Sequence, residues 1–283
     1  MRTINTVFEL QKYILDLKKQ GKTIGFAPTM GALHEGHLSL IAKAKSECDI
    51  SVCSIFVNPT QFNDPKDLEK YPRTEVKDRK MLRSADNDIL FMPTINEIYP
   101  TDLNLKNTID FGAMAHVMEG AFRPGHFDGM AQVVKRLLDI VLPNRLFMGQ
   151  KDFQQFSIVQ NMLLQLKSDI QLVMCETMRE KDGLAMSSRN ARLTPEHRTQ
   201  ACLIYKTLVR VREISTEKSP KDIKSWAISQ FPSPDFKPEY FDIVDGYTLQ
   251  PIENFEETDF VVACVATWLG EVRLIDNIVV KKA

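Results

Sequence analysis

The feature that most restricts this chain is an alternation. Over roughly its first 175 residues, short apolar runs take turns with longer amphipathic ones. Residues 23–27, 50–57, 88–92, 145–148 and 170–175 have the length and composition of buried strands. Residues 38–48, 75–85, 128–142 and 153–166 read as helices; in the first, Leu38, Ile41, Ala42 and Lys45 recur at helical spacing. Parallel strands need long crossovers, and a parallel sheet must be covered on both faces. The expected fold is therefore α/β, a Rossmann-like doubly wound parallel sheet.

Past Thr177 the texture changes. Thr194-Pro195-Glu196 and Ser219-Pro220 are helix starts, the first opening a helix over 195–213. A proline-rich stretch over 231–238 leads to strand-like runs at 240–244, 260–267 and 272–280. The division expected is a Rossmann-like domain over 1–176 and a smaller C-terminal α+β domain over 177–283, which suits the 283-residue length.

Composition excludes several classes. Lys and Arg total 36 against 37 Asp and Glu, so the basic excess that binds nucleic acid is missing. No apolar run approaches the roughly 18–20 residues of a membrane span. The opening 19 residues mix Glu9, Lys12, Asp16 and Lys18 into an apolar pattern, which fits an amphipathic helix and not a secretory leader. A cytoplasmic location is expected. The five cysteines are odd in number and none is spaced C-x-x-C, so neither a disulfide framework nor a zinc knuckle is indicated. The spacing does not say whether Cys53 serves the site.

Ligands of doubly wound sheets bind where strands end and helices begin. Four segments at such handovers or at the domain boundary are rich in glycine or polar groups. In Pro28-Thr29-Met30-Gly31-Ala32-Leu33-His34-Glu35-Gly36-His37, the glycines permit close backbone approach, and His37 falls in the first turn of a helix, where anions are attracted. Read alone, His34 and His37 also fit a metal pair or two surface histidines. Asn58 and Gln61, in Phe56-Val57-Asn58-Pro59-Thr60-Gln61-Phe62, can bond hydroxyl and carboxylate oxygens, or can simply form an Asn-Pro turn. Gly149-Gln150-Lys151-Asp152-Phe153-Gln154-Gln155 offers a lysine to a phosphate and Asp152 as a helix cap. Met186-Ser187-Ser188-Arg189-Asn190 offers two hydroxyls and a guanidinium to a polyphosphate, or is a solvated loop. A fifth loop, 120–129, is either a cradle or an ordered turn.

Taken in order, these segments resemble the pantoate–β-alanine ligase (pantothenate synthetase) family of the class I nucleotidylyltransferase superfamily. Pro28 to His37 resembles its H-I-G-H-type signature, and Phe56 to Phe62 resembles F-V-N-P-x-Q-F. Tyr71-Pro72-Arg73-Thr74 and Arg123-Pro124-Gly125-His126-Phe127 match two further motifs. Gly149 to Gln155 resembles G-x-K-D-x-Q-Q, and 182–190 resembles D-G-L-A-x-S-S-R-N. Trp268-Leu269-Gly270 and Arg273-Leu274-Ile275-Asp276-Asn277 match the C-terminal end. Thr60 and Gln150 depart mildly from the usual Met and Glu.

The resemblance implies a nucleotidylyltransferase-type fold and an AMP-forming ligase that joins pantoate to β-alanine through pantoyl adenylate. It implies His37, His34, Lys151 and Arg189 as catalytic residues. ATP is expected at Met30, Gly31, Ala32, Leu33, His34, Glu35, Gly36, His37, Gly149, Gln150, Lys151, Asp152, Met178, Met186, Ser187, Ser188 and Arg189. Gln61, Gln155 and Asn58 are expected on the organic substrates. Mg²⁺ is expected to ride on ATP with no dedicated protein site, and no organic prosthetic group is expected. The partners implied are pantoate, β-alanine and ATP, with neither nucleic acid nor membrane. A homodimer is implied too, with the apolar stretches 50–57 and 108–121 as its candidate interface.

Overall fold

The computed structural model describes residues 1–62, 65–101, 109–232 and 234–282. Residue 108 of the candidate interface, Ser233 of the proline-rich stretch and Ala283 lie outside the described residues. The chain divides into two compact units. The first holds 1–111, 123–149 and 158–176; the second holds 112–122, 150–157 and 177–283. The cut after Glu176 is thus joined by two excursions that assign 112–122 and 150–157 to the second unit.

The first unit is built on six strands: β1 (Arg2–Ile4), β2 (Ile24–Thr29), β3 (Ile50–Ile55), β4 (Ile89–Phe91), β5 (Arg145–Gly149) and β6 (Gln171–Cys175). All pairs are parallel, in the order β1-β4-β3-β2-β5-β6. Its helices are α1 (Val7–Lys19), α2 (Glu35–Glu47), α3 (Pro65–Lys70), α4 (Glu75–Ser84), α5 (Ile95–Ile98) and, beyond the short α6 (Glu119–Phe122) of the second unit, α7 (His126–Val141). Helix α8 (Phe153–Gln165) starts in the second unit and ends in the first. The doubly wound parallel sheet expected from the alternation is present. Strand order reverses between β2 and β5, so the switch-point crevice lies at their carboxyl ends.

Local chemistry sets these elements. Thr6 caps α1 by accepting from Glu9 N at 3.3 Å, and Leu10, Ile14 and Leu17 form its buried stripe. Pro28 lies inside a central strand, yet β5 pairs β2 only at Gly25 and Phe26, so the missing N–H disturbs no bond on that side. Gly25 is required by contact: a Cβ there would sit 3.0 Å from the Phe147 ring and 3.2 Å from Ala44. Ala27, Leu33, Ile41, Ala44, Cys53, Leu82, Leu90 and Phe147 belong to one core cluster. Strand β3 is buried from Ser51 to Ser54, and the apolar character of that part of the 50–57 stretch reflects its place between β2 and β4.

The second unit carries α9 (Pro195–Gln200), α10 (Cys202–Ile214), α11 (Pro220–Ser229) and an antiparallel sheet of β7 (Phe236–Asp245), β8 (Phe260–Leu269) and β9 (Val272–Lys282). The single helix expected over 195–213 is interrupted at Ala201, which is fully buried. Strand β7 begins at Phe236, before the expected residue 240. It accommodates Pro238 because it is an edge strand whose register shifts between Pro238 and Tyr240. Ile204, Leu208 and Val211 of α10 pack with Phe241, Val261, Val265 and Leu274 in the core of this unit.

Among the described residues no helix is long and apolar enough to cross a membrane. All five cysteines are free; Cys53, Cys175 and Cys264 are buried, and Cys48 and Cys202 are partly exposed. Burial pushes the Cys53 thiol up to about 12 and the Cys175 thiol up to about 11, so both are protonated at neutral pH. A maleimide reagent is expected to modify only Cys48 and Cys202 in the native protein and all five after unfolding. Rapid native labelling at Cys53, read by peptide mass spectrometry, would contradict the fold.

Candidate active site

Strand β2 hands over to α2 through a turn that no ordinary sequence adopts without support. Gly31 and Ala32 both have left-handed backbones, with φ of 83° and 49°. The support is Asp78 on α4, which is 1% exposed. Its carboxylate accepts from Ala32 N at 3.0 Å, from Leu33 N at 2.8 Å and from Thr74 Oγ1 at 2.9 Å. A Cβ at Gly31 would come 3.2 Å from Asp78 Oδ2 and 3.1 Å from Ile55, which adds a packing reason for glycine. Thr29 Oγ1 donates to Ser54 O at 2.7 Å and accepts from Gly31 N at 3.3 Å, tying the turn to β3.

The turn delivers His34 as the N-cap of α2 and Glu35, Gly36 and His37 into its first turn. His34 N donates to His37 Nδ1 at 3.3 Å, and the two rings are 4.1 Å apart between centroids. The structure thus pairs the imidazoles at the positive end of a 13-residue helix.

Beside them, the segment after β3 forms a 3₁₀ turn over Pro59–Gln61. Gln61 Nε2 donates to Met30 Sδ at 3.1 Å, which joins this segment to the histidine turn. Asn58 is 1% exposed and its amide is fully used. Its Nδ2 donates to Gln61 Oε1 at 3.3 Å and to Gly129 O at 3.2 Å. Its Oδ1 accepts from Tyr99 OH at 2.9 Å and Thr60 Oγ1 at 3.1 Å. Asn58 therefore orients Gln61. The loop 120–129 divides in function. Gly129 lets α7 approach the 59–61 turn, since a Cβ there would meet Thr60 O at 2.4 Å; His126 Nδ1 lies 2.9 Å from Gln61 O.

The remaining candidates lie in the second unit, apart from Gly149 at the end of β5. Gln150, Lys151 and Asp152 form one 3₁₀ turn before α8, in place of the cap expected from Asp152. Lys151 Nζ is 3.9 Å from Asp152 Oδ1, and the two side chains are 19% and 53% exposed. Gln154 is consumed internally: it donates to Met114 O at 2.8 Å and Val117 O at 2.9 Å and accepts from Glu119 N at 3.0 Å. Gln155 is half-buried and makes no side-chain hydrogen bond among the described residues, which leaves its amide available to a ligand.

Met178 and Met186 are brought together by a hairpin in which Met186 N donates to Met178 O at 2.9 Å and Arg179 bridges Ala185. Ser187 caps the following 3₁₀ turn through Arg189 N at 3.3 Å, and Asn190 Nδ2 holds Ala185 O at 3.0 Å. The segment is an ordered turn with Ser188 and Arg189 partly exposed.

Sequence reasoning passed over Asp78 and Tyr99, and quoted Asn277 within a motif without giving it a role. The first sits in a charged helix among exposed Glu75, Lys77 and Lys80, and only its position four residues after Thr74 hints at an inward role.

A parallel sheet with paired histidines at its switch point and an amide beside them has the architecture of a Rossmann-type α/β enzyme. A sequence model of the family described as Pantoate-beta-alanine ligase matches residues 2–279. Pantothenate synthetase of Porphyromonas gingivalis is 46% identical over 279 residues, 98% of this chain and 99% of its own. That of Azobacteroides pseudotrichonymphae is 48% identical over 280 residues, with the same shares covered. A solved pantothenate synthetase from Thermus thermophilus superposes with a TM-score of 0.92 at 38% identity, covering 99% of this chain and 100% of its own. A pantoate-beta-alanine ligase from Francisella tularensis, complexed with "Beta-gamma ATP and Beta-alanine", superposes with 0.81 at 38% identity, covering 99% and 98%. The chain belongs to the pantoate–β-alanine ligase family.

Replacing Asp78 by Asn leaves two backbone donors facing an amide with one acceptor oxygen. That is expected to cost about 1–3 kcal/mol of stability and to speed amide exchange at Ala32 and Leu33. Native-like protection of both amides in Asp78→Asn would contradict the anchoring role.

Proposed function

We propose that the chain condenses pantoate with β-alanine at the expense of ATP, releasing AMP and pyrophosphate, through enzyme-bound pantoyl adenylate. The observation that carries this reading is an adjacency within the first unit. The Gln61 amide, suited to the hydroxyl and carboxylate oxygens of pantoate, touches Met30 of the turn that presents His34 and His37.

In the first step a pantoate carboxylate oxygen attacks the α-phosphorus of ATP, forming the P–O bond of the mixed anhydride as the bond to pyrophosphate breaks. Negative charge grows on the α-phosphoryl oxygens and on the leaving group. His34 and His37, at the positive end of α2, are the donors assigned to that charge, with Lys151, Ser187, Ser188 and Arg189 assigned to the polyphosphate. Met30 to His37, Gly149 to Asp152, Met178 and Met186 to Arg189 are the residues assigned to ATP. Gln61 and Gln155 hold pantoate, and Asn58 contributes by fixing Gln61.

In the second step the β-alanine amine attacks the acyl carbon, the amide C–N bond forms, and AMP leaves with the carboxylate oxygen. No residue becomes acylated. The acyl adenylate reacts with water, so excluding water from it is part of the task. Mg²⁺ would enter as part of the nucleotide substrate, and the exposed Asp152 carboxylate beside Lys151 is the protein group assigned to meet it through water. The near balance of charge, 36 basic against 37 acidic residues, supports small-molecule partners over nucleic acid. The family resemblance supports a cytoplasmic homodimer.

With all three substrates, pantothenate, AMP and pyrophosphate are expected in equal amounts by chromatography. ADP in place of AMP would overturn the proposal. His37→Ala is expected to slow pantoate-dependent ATP–pyrophosphate exchange by about 10- to 1000-fold; an unchanged rate in the folded variant would remove His37 from its role.

A further inference from the structure

One dipeptide of β9 reaches both second-unit segments assigned to ATP, the 150–152 turn through its backbone and the 178–189 segment through the Arg179 side chain. Asn277 is 2% exposed, and its side-chain amide is spent on the 150–152 turn. Nδ2 donates to Gln150 O at 2.9 Å and to Lys151 O at 2.8 Å, while Oδ1 accepts from Gln150 Nε2 at 3.2 Å. Asp276, 4% exposed, pairs in bidentate fashion with Arg179 at 2.6 and 3.0 Å and accepts Asn277 N at 2.8 Å. Arg179 in turn donates to Gly183 O at 3.1 Å and lies over the Tyr205 ring at 3.9 Å. It is thereby fixed at the base of the 178–186 hairpin.

Chemistry explains why these residue types stand there. Two adjacent carbonyls need two donors from one short side chain, which Asn supplies; Asp has none when ionised and an apolar residue has none at all. A buried guanidinium needs a planar, bidentate carboxylate. Lysine is long and loses much rotamer freedom when it grips a phosphate. Fixing its Cα in a stiff turn lowers that loss, and an error of about 1 Å in such placement can cost 100-fold in rate.

We propose that Asn277 is a positioning residue for Lys151 in adenylate formation, and that Asp276, through Arg179, does the same for the segment that runs from Met178 to Arg189. The proposal rests on the reading of Lys151 as a polyphosphate ligand given above. Neither residue touches substrate. Their effect is confined to the half of the reaction that contains the polyphosphate, whereas a purely structural role would weaken both halves alike.

The two halves are separable with the full chain. Pantoate-dependent ATP–pyrophosphate exchange reads the first; chemically prepared pantoyl adenylate plus β-alanine reads the second. Asn277→Ala is expected to slow exchange by about tenfold or more and to change the second half by less than about twofold. In a Lys151→Ala background the same substitution is expected to cost exchange less than about twofold further, because its target is gone. Equal losses in both halves, wild-type exchange, or full additivity with Lys151→Ala would each overturn the proposal. Should Asn277→Ala not fold, Asn277→Ser, which keeps one donor, is read by the same ratio and the same cycle. A wild-type chain without pantoate-dependent exchange would sink the proposed function itself, a failure seen before any variant is made.

Discussion

The first unit of this protein depends on one buried carboxylate. Asp78 bonds two successive backbone N–H groups at Ala32 and Leu33, 46 and 45 residues away in sequence. Burying an ionised carboxylate is costly unless its oxygens are satisfied, and here three donors satisfy them. In return the turn after β2 is held in a left-handed conformation that Ala32 would otherwise resist by roughly 1–2 kcal/mol. The start of α2 follows from that turn, and with it the pairing of His34 and His37. Thr29, Cys53 and Ile55 fill the space behind, so the loop is backed by β3 and not by solvent.

The second unit solves a related problem with a larger network. Arg273 bonds Glu119 at 2.7 and 2.8 Å and Glu239 at 2.8 Å; Tyr240 OH donates to the same Glu119 at 2.9 Å. Burial beside Glu119 drives the Tyr240 phenol well above its ordinary range, so it remains a donor at any physiological pH. Glu119 also starts α6, whose segment is gripped by the Gln154 amide. Breaking one partner of such a buried pair typically costs roughly 3–5 kcal/mol, because a charge is stranded. This network explains why 112–122 and 150–157 belong with the C-terminal part of the chain although the sequence carries them inside the parallel-sheet half.

Much of this was legible in the residues. Apolar runs such as those around Val52 and Phe147 announced buried strands, and Pro195 and Pro220 marked helix starts where the structure has them. Strand β1 was not legible, because three residues ahead of an amphipathic helix carry no periodicity of their own; only its pairing with β4 defines it. Residue types at the site were readable, but their division of labour was not. Asn58 and Gln154 look like ligand amides until their partners are seen, and those partners, Gly129 and Met114, lie 71 and 40 residues away. The roles of Asp78 and Asn277 were hidden for the same reason: their value lies in backbone groups that the fold alone brings within reach.

In the proposed route through pantoyl adenylate, one carboxylate oxygen of pantoate becomes an oxygen of AMP. Pantoate labelled with oxygen-18 in its carboxyl group, turned over with ATP and β-alanine, tests it most directly. Mass spectrometry of the products is expected to find one labelled oxygen in AMP and none in pyrophosphate. Unlabelled AMP, or label appearing in inorganic phosphate, would contradict the account.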